Sequence, residues 1–271
     1  MAESVDKTPD SKVKTQKQQD QPKVETKSTK GAEVTQSIDV DIKKLLESGA
    51  HFGHTTSRWH PKMAPYLHSK RAGNHIIDLT KTVEAVEAVL PVITRAVSSG
   101  KQVLLVGTKR QAKEIVQQAA EDTGMPYVVN RWVGGMLTNT TTMNGRIKHL
   151  QDLENKMESG ELANRYSKLE VQRFQEEIDE MNRLYGGIKN LQGKPGLVYV
   201  TDVVTDHLAV KEAKRLGVPV IGVVDSNADP SGIDFPIPAN DDALKAIQLL
   251  LEYVVAAINV GKASQKKASK D

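Results

Sequence analysis

The chain has 271 residues, with 37 lysines and arginines against 34 acidic residues and a formal net charge of +3. It contains no cysteine, which excludes disulfide bridges, cysteine-ligated metal centres and a cysteine nucleophile. No run approaches the ~18 consecutive apolar residues of a membrane helix, and the start lacks an apolar signal core. These features predict a cytoplasmic protein without membrane contact.

The two ends of the chain differ from its middle. Residues 1–37 carry seven lysines, six acidic residues and no aromatic residue. Such a segment buries too little apolar surface to offset the entropy of ordering, so it is predicted to be disordered. Residues 261–271 carry four lysines among small residues and are predicted to form a flexible basic tail. The folded core is therefore predicted over residues 38–260.

Short apolar runs alternate with amphipathic stretches through that core. A strand is predicted at 76–79, and Thr80 is expected to cap a helix from Lys81 to Val97. Further strands are predicted at 103–106, 126–129, 197–200, 218–224 and, as an edge strand, 233–237; helices are predicted at 110–122, 206–216 and from Asn240 or Asp241 to about Ile258. Continuous apolar strands separated by helices indicate an α/β fold with a mostly parallel, doubly wound sheet of the Rossmann or flavodoxin-like class.

Residues 138–187 do not fit this alternation. Their apolar residues recur at steps of three and four on both sides of Gly160, in the set Met143, Ile147, Leu150, Met157, Val171, Phe174, Ile178, Met181 and Tyr185. This spacing is typical of the seam between two packed helices. An inserted antiparallel helical hairpin, a coiled-coil arm projecting from the sheet, is predicted; two surface helices lying flat on the core are the alternative.

A basic segment without acidic residues spans 51–75. It holds five of the seven histidines, two prolines that exclude a long helix, and the residues Arg58, Trp59, His60, Lys62, Tyr66, Lys70 and Arg71. An irregular loop with cations and aromatic rings can neutralise phosphates and stack on the bases of RNA. The alternative is a surface loop in which Trp59 covers the sheet edge.

A second stretch without acidic residues runs from Asn130 to Leu150. Its candidate RNA-binding residues are Arg131, Trp132, Asn139, Asn144, Arg146 and Lys148. Lys109 and Arg110 add charge at a strand end, where open α/β sheets usually bind their ligands. Because both tryptophans follow an arginine, the two Arg-Trp pairs are predicted to meet on one rim and form a cationic seat for folded RNA.

Acidic residues dominate from 197 to 242, with eight acidic residues against three basic ones. Asp202, Asp206 and Asp225 are candidates for a face that meets a protein partner. Asp206 could instead favour a helix N-terminus. A loop could also bring His51 and His54 beside these aspartates as a divalent-metal site, but histidines in packing roles are commoner, and no metal is predicted.

Motifs for catalysis are missing from the sequence. There is no G-x-G-x-x-G, no G-x-x-x-x-G-K-[ST] and no nucleophile elbow. Gly134 and Gly135 before a helix could cradle a phosphate, which keeps a Rossmann-like enzyme or sensor for a phosphosugar or nucleotide as the alternative function. A coiled-coil adaptor acting through 138–187 is a third possibility. The chain is predicted to be no enzyme and to need no cofactor.

Six blocks in order resemble the bacterial form of one family, the second protein of the small ribosomal subunit. They are 45–54 with 58–63, 73–82, 106–110, 130–139, 213–219 and 224–230, and together they cover about Asp39 to Ile258. The resemblance implies a structural constituent of the ribosome that supports translation and is cytoplasmic and ribosome-bound. It also implies rRNA binding at the junction of head and body, with a hairpin reaching across rRNA.

The resemblance further implies neighbouring ribosomal proteins as partners, including the largest small-subunit protein, which recruits mRNA and which this chain would help to dock. Homo-oligomers are not expected. Carried over, Arg58, Trp59, His60 and Lys62 would lie near rRNA in the early loop. The residues Arg131, Trp132, Asn139, Arg146 and Lys148 would lie at the base of the hairpin.

Overall fold

The computed structural model describes residues 38–268, and residues 1–37 with their predicted disorder lie outside that range. The elements in chain order are α1 (Ile42–Glu47), β1 (Phe52–Thr55), β2 (Leu67–Arg71), β3 (Asn74–Ile77), α2 (Leu79–Ser98), β4 (Val103–Val106), α3 (Lys113–Thr123), β5 (Tyr127–Val128), α4 (Thr140–Glu158), α5 (Glu161–Arg165), α6 (Lys168–Tyr185), β6 (Leu197–Val200), α7 (His207–Arg215), β7 (Val220–Val224), β8 (Phe235–Pro238) and α8 (Leu244–Ala268). Short 3-10 helices occupy Pro61–Tyr66, Gly186–Ile188 and Pro230–Gly232.

The central layer is a five-stranded sheet in the order β5-β4-β6-β7-β8, and all its strand pairs are parallel. Counted from β4, the order is 2-1-3-4-5, which is the flavodoxin-like doubly wound arrangement. Its topological switch point lies between β4 and β6. The α/β class predicted from the sequence is confirmed, and β8 is an edge strand as predicted.

Alternate residues of each strand enter two separate cores on the two faces of the sheet. On one face, Leu105 and Tyr199 pack with α1, α2, α3 and α8. On the other, Val106 and Val200 pack with the 3-10 helix Pro61–Tyr66, the start of α4, and α7. Burial on both faces explains why these strands are apolar throughout rather than alternating.

Helices α2 and α8 form the main layer over the first face, and their close approach depends on Gly261. A Cβ at Gly261 would lie 2.7 Å from the Cβ of Val97 and 2.8 Å from the carbonyl oxygen of Thr94. Gly261 lies inside α8, because this helix runs to Ala268 rather than ending near Ile258 as predicted. The stretch Leu244–Lys266 has the length and composition of a membrane span, but half of it is buried, as in a core helix.

The starts of two helices differ from those predicted. Asp78, not Thr80, caps α2, with its carboxylate accepting a hydrogen bond from the backbone N–H of Thr80 at 2.9 Å. Helix α3 begins at Lys113 rather than Arg110, since residues 110–112 form a turn. Strands β4 and β6 have the bounds predicted.

The basic segment 51–75 is not irregular as predicted. It folds into a three-stranded antiparallel sheet in the order β1-β3-β2, with the 3-10 helix Pro61–Tyr66 between β1 and β2. The turn between β2 and β3 holds Ala72 at φ 49° and Gly73 at φ 80°. Two successive residues at positive φ make the tight turn that suits a twisted hairpin.

The helical insert consists of three helices, α4, the short α5, and α6, rather than two. Helices α4 and α6 pack through Leu150, Leu153, Ile178 and Met181. Met143 and Ile147, predicted to lie in the seam with α6, pack instead on the second core of the sheet. The first half of α4 thus belongs to the core, while the coiled-coil character and the projection of the arm remain predictions.

Candidate nucleic-acid interface

The first predicted RNA-binding segment presents most of its cations to solvent. Arg58, Lys70 and Arg71 are exposed, the last two at the end of β2 where the turn begins. Trp59 is half-buried, and the centre of its ring lies 5.0 Å from the centre of the His75 ring. The ammonium of Lys70 lies 5.8 Å from the centre of the Trp59 ring. This arrangement holds an indole and a cation side by side, as phosphate and base contacts require.

Two residues of this segment have internal partners. The Nζ of Lys62 donates to the carboxylate of Asp229 at 2.9 Å, so its charge is neutralised within the chain. His60 caps the 3-10 helix Pro61–Tyr66, because its Nδ1 accepts a hydrogen bond from the backbone N–H of Lys62 at 3.3 Å. The structure therefore assigns His60 and Lys62 to holding the segment's shape rather than to a free cationic surface.

The second segment centres on the carboxylate of Glu212 in α7, which sequence reasoning missed. Glu212 accepts hydrogen bonds from Trp132 Nε1 at 3.0 Å, from the backbone N–H of Gly135 at 2.7 Å and from that of Leu137 at 3.0 Å. The backbone N–H and the hydroxyl of Thr138 donate to it at 3.2 and 3.1 Å. Five donors thus converge on one side chain from the loop that precedes α4.

This network corrects two predictions. Trp132 is buried, 6% exposed, in the second core, so its ring is not available to stack on a base. The backbone N–H of Gly135, predicted as part of a possible phosphate cradle, points at an internal carboxylate instead. Burial raises the pKa of Glu212, but the hydrogen bonds from Trp132 and the loop outweigh it and hold that pKa below its ordinary value.

Other cations and amides of the second segment remain at the surface. Arg110, Arg131, Asn144, Arg146 and Lys148 are all exposed. Within residues 38–268, neither Arg58 nor Arg131 lies within 4 Å of a carboxylate oxygen. The side chain of Asn139 caps α4 by accepting a hydrogen bond from the backbone N–H of Thr142 at 3.4 Å.

The two basic segments lie on the same face of the five-stranded sheet. Met63 and Tyr66 from the first segment pack in the second core, which also contains Trp132, Leu137 and Met143 from the second. The two segments therefore border the same core. Of the two indoles, only that of Trp59 is partly exposed. A shared rim formed by the two Arg-Trp pairs remains a prediction.

A compact acidic centre surrounds Lys109 at the carboxyl ends of the strands, at the switch point. The Lys109 ammonium lies 2.7 Å from Asp241, 2.7 Å from Asp242 and 3.4 Å from Asp202. Burial lowers the pKa of Lys109, but these carboxylates reverse that effect and leave the pKa raised. Lys109 was predicted to contact RNA, and this is wrong because its charge faces inward.

His54 from β1 completes this acidic centre. Its Nδ1 lies 3.0 Å from Asp225 Oδ2 and its Nε2 lies 3.4 Å from Asp242 Oδ2. The contact with Asp225 raises the pKa of His54, and burial together with Asp202 and Asp225 raises the pKa of Asp241 to about 7. The proximity of His54 to Asp225 that the sequence left open is therefore observed.

Three side chains of this centre offer a metal-ligand set. One ligand atom each from His54, Asp225 and Asp241 lie within 4.8 Å of one another. Asp225 Oδ2 is buried and makes no hydrogen bond within the described part of the chain, although His54 Nδ1 is near it. One imidazole nitrogen with two carboxylates is a donor set that a divalent cation such as Zn²⁺ accepts.

The three aspartates predicted to form a face for a protein partner do not lie at the surface. Asp202, Asp206 and Asp225 are all buried and bond to groups of their own chain. Asp202 accepts from the backbone N–H groups of Val204 and Thr205, and Asp206 accepts from the backbone and hydroxyl of Thr108. Burial raises the pKa of Asp206 although those hydrogen bonds oppose the effect.

The acidic centre opens to solvent through a cleft of about 560 Å³. The cleft is lined by Phe52, His54, Arg58, Asp225 and Asp242, among others, so the first basic segment forms one of its walls. Phe52, Arg58 and Asp242 are among its exposed members, whereas Asp225 is buried. The site thus combines a basic outer surface with a buried acidic interior.

The fold and these surfaces define a flavodoxin-like α/β protein with two basic segments on one face of the sheet and an acidic centre at the strand ends. The family model for ribosomal protein S2 matches residues 45–261. A small ribosomal subunit protein uS2 from a Picosynechococcus strain is 45% identical over 226 residues, which cover 83% of this chain and 88% of the relative. The uS2 proteins of Coprothermobacter proteolyticus and Chloroflexus aggregans are each 44% identical, over 82% and 80% of this chain and 83% and 91% of the relatives.

The chain therefore belongs to the ribosomal protein S2 family. This confirms the resemblance carried by the six sequence blocks. Membership of a ribosomal protein family implies a structural role rather than an enzymatic one.

Proposed function

We propose that this protein is a structural component of the small ribosomal subunit, in the cytoplasm, and that it binds rRNA through the exposed cations of its two basic segments. The observation that carries the proposal is that both segments flank one core on one face of the sheet, with Arg58 and Arg131 unpaired by carboxylates of the described chain. Phosphate groups are the anions that such an exposed cationic surface attracts.

The contact surface we propose is narrower than the sequence suggested. It consists of Arg58, Trp59, Lys70, Arg71, Arg110, Arg131, Asn144, Arg146 and Lys148. Trp59 is the member that can stack on an unpaired base, because its ring is only half-buried. The remaining members supply charge and hydrogen-bond donors to the backbone, which is how RNA shape is recognised.

The test is incorporation of the full-length chain into small subunits that lack it, measured by sedimentation over a range of salt concentrations. Arg58→Glu together with Arg131→Glu should weaken incorporation and reduce the slope of log affinity against log salt by about one to two, since each lost phosphate contact removes roughly 0.7–0.9. Unchanged incorporation and an unchanged slope would refute the proposed surface.

Arg95→Glu is the matched control for this test. Arg95 is exposed in the last turn of α2, which packs on the opposite face of the sheet. The charge change of Arg95→Glu equals that of Arg58→Glu or Arg131→Glu made singly, with which it is compared, and it leaves the proposed surface untouched. Its incorporation and salt slope should therefore equal those of the wild type.

We further propose that the protein sits at the junction of head and body, as the family resemblance implies. There it helps to dock the large mRNA-recruiting protein. The cleft supports this, because Phe52 is 52% exposed beside the half-exposed carboxylate of Asp242. An exposed aromatic ring next to an acidic group suits a partner segment with its own aromatic and basic residues. Phe52→Ala should reduce co-sedimentation of that protein with subunits while leaving incorporation of this chain intact; equal co-sedimentation would refute the docking role.

A further inference from the structure

A groove on the first face of the molecule is not used by any of the functions above. It runs between α3 and α8 and encloses about 470 Å³. Its floor is apolar and consists of Ile115, Ala119, Leu251 and Val255. Ala119 is the small member of this floor, and it leaves room for a larger side chain from outside.

The two banks of the groove are acidic. Glu114 and Asp122 stand on the α3 bank, and Glu252 stands on the α8 bank. All three are exposed, and within the described part of the chain none of them lies within 4 Å of a lysine or arginine nitrogen. Asp122 and Glu252 accept hydrogen bonds only from the neutral side chains of Gln118 and Gln248, at 2.9 Å each.

Lys245 of α8 lines a neighbouring groove together with Glu252, but it does not lie within 4 Å of a carboxylate on either bank. Two other lysines of these helices have partners away from the banks. Lys113 donates to the side-chain oxygen of Asn130, and Lys262 donates to the carbonyl oxygen of Thr123 at the end of α3. The contact of Lys262 with Thr123 also shows that α3 and α8 run in the same direction. Glu114 and Asp122 are separated by about 12 Å along α3, or roughly two helical turns, and this is the length of the acidic bank on that helix.

We propose that this groove binds an amphipathic helix of another protein, with an apolar stripe on the floor and lysine or arginine side chains against Glu114, Asp122 and Glu252. Two helices with a shared apolar floor form the usual seat for a third helix. The carboxylates on both banks repel phosphates, so RNA is not the occupant. Charge complementarity selects a basic partner instead.

The first test uses a synthetic probe and the isolated full-length chain. The probe is a fluorescein-labelled 18-residue helical peptide with a leucine stripe flanked by lysines. Fluorescence anisotropy should show binding to the wild type and an affinity at least about tenfold lower for Glu114→Lys combined with Glu252→Lys, because two attractive contacts become repulsive. Both positions are exposed, and circular dichroism melting verifies that the variant is folded.

Glu87→Lys combined with Glu180→Lys is the matched control. Both residues are exposed, on α2 and α6 respectively, and the change in net charge is the same. The control should bind the probe like the wild type. Peptides with serines in place of the leucines, or glutamates in place of the lysines, should not bind. Equal affinity of the wild type and the groove variant, or binding of the serine peptide, would overturn the proposal.

The second test asks what lies on the groove in assembled subunits. A photo-crosslinking amino acid at Gln118, between the two acidic positions of α3, should crosslink to a lysine- or arginine-rich helix of a neighbouring protein. A crosslink to rRNA, to residues 1–37 of this chain, or to nothing would contradict the proposal. Failure of the rRNA proposal is seen separately, because it concerns arginines on the opposite face and is measured by sedimentation.

Discussion

The hydrogen bonds of Glu212 allow a quantitative prediction about stability. Glu212→Gln keeps the size of the side chain but removes the charge and places an amide nitrogen where an oxygen accepted two or three hydrogen bonds. Hydrogen bonds to a charged acceptor contribute about 1.5–3 kcal/mol each, and an unmatched donor costs about 1–3 kcal/mol. Because Glu212 is only half-buried and one oxygen remains an acceptor, we expect a net loss of about 3 kcal/mol rather than the full sum.

Such a loss corresponds to a decrease in Tm of roughly 6–12 °C for a folded region of this size. Thermal unfolding at pH 7, followed by circular dichroism, measures it. Glu180→Gln is the control, because Glu180 is an exposed glutamate of α6 and its substitution should leave Tm unchanged. A Tm of Glu212→Gln within about 2 °C of the wild type would refute the structural role assigned to this carboxylate.

The same substitution predicts a pH dependence. The folded-state pKa of Glu212 is lower than the unfolded value, so its stabilisation is present above the unfolded pKa. That stabilisation is lost as the pH falls through the folded pKa. The Tm difference between wild type and Glu212→Gln should therefore shrink from pH 7 to pH 3. A difference that stays constant over this range would contradict the argument.

Three further substitutions probe other parts of the molecule. Leu150→Ala, in the fully buried contact of α4 with α6, should cost about 2–5 kcal/mol and increase hydrogen exchange in both helices. Gly187→Ala would drive a methyl group into the backbone of Tyr127 and should lower stability by about 1–3 kcal/mol in urea unfolding. His54→Ala should abolish any increase in Tm that Zn²⁺ gives the wild type; an equal increase in both would exclude His54 as a ligand. For Leu150→Ala and Gly187→Ala, wild-type stability would contradict the packing described.

The strands of the main sheet could be predicted because burial on both faces leaves an uninterrupted apolar run, as in β4 and β6. Of the small antiparallel sheet only β3 was predicted, as a strand at 76–79 that overlaps its last residues. Strands β1 and β2 were not predicted, since they do not alternate apolar and polar residues and contain histidines and cations. Residues 261–271 were predicted to form a flexible tail, yet Gly261 lies inside α8, where its lack of a side chain permits contact with Val97 instead of ending the helix. A glycine in a helical pattern is ambiguous between these two roles until its neighbour across the interface is known.

The exposed cations of the candidate site could be predicted from the sequence, but the hydrogen-bond and ion-pair partners of its residues could not. The exposed arginines follow from stretches without acidic residues, and the structure leaves Arg58 and Arg131 at the surface. The partners of Trp132 and Lys109 lie far away in sequence, Glu212 80 positions and Asp241 132 positions later. Nothing in local periodicity indicates such contacts, so a tryptophan and a lysine that belong to the interior were interpreted as part of the surface.

In many doubly wound proteins, the crevice between the strands that flank the switch point receives a diffusible ligand. Here the ammonium of Lys109 occupies that crevice among aspartates of the same chain. The protein thus carries its own counter-ion where related architectures depend on the supply of a small molecule. The positive charge at these strand ends is therefore supplied by the fold itself.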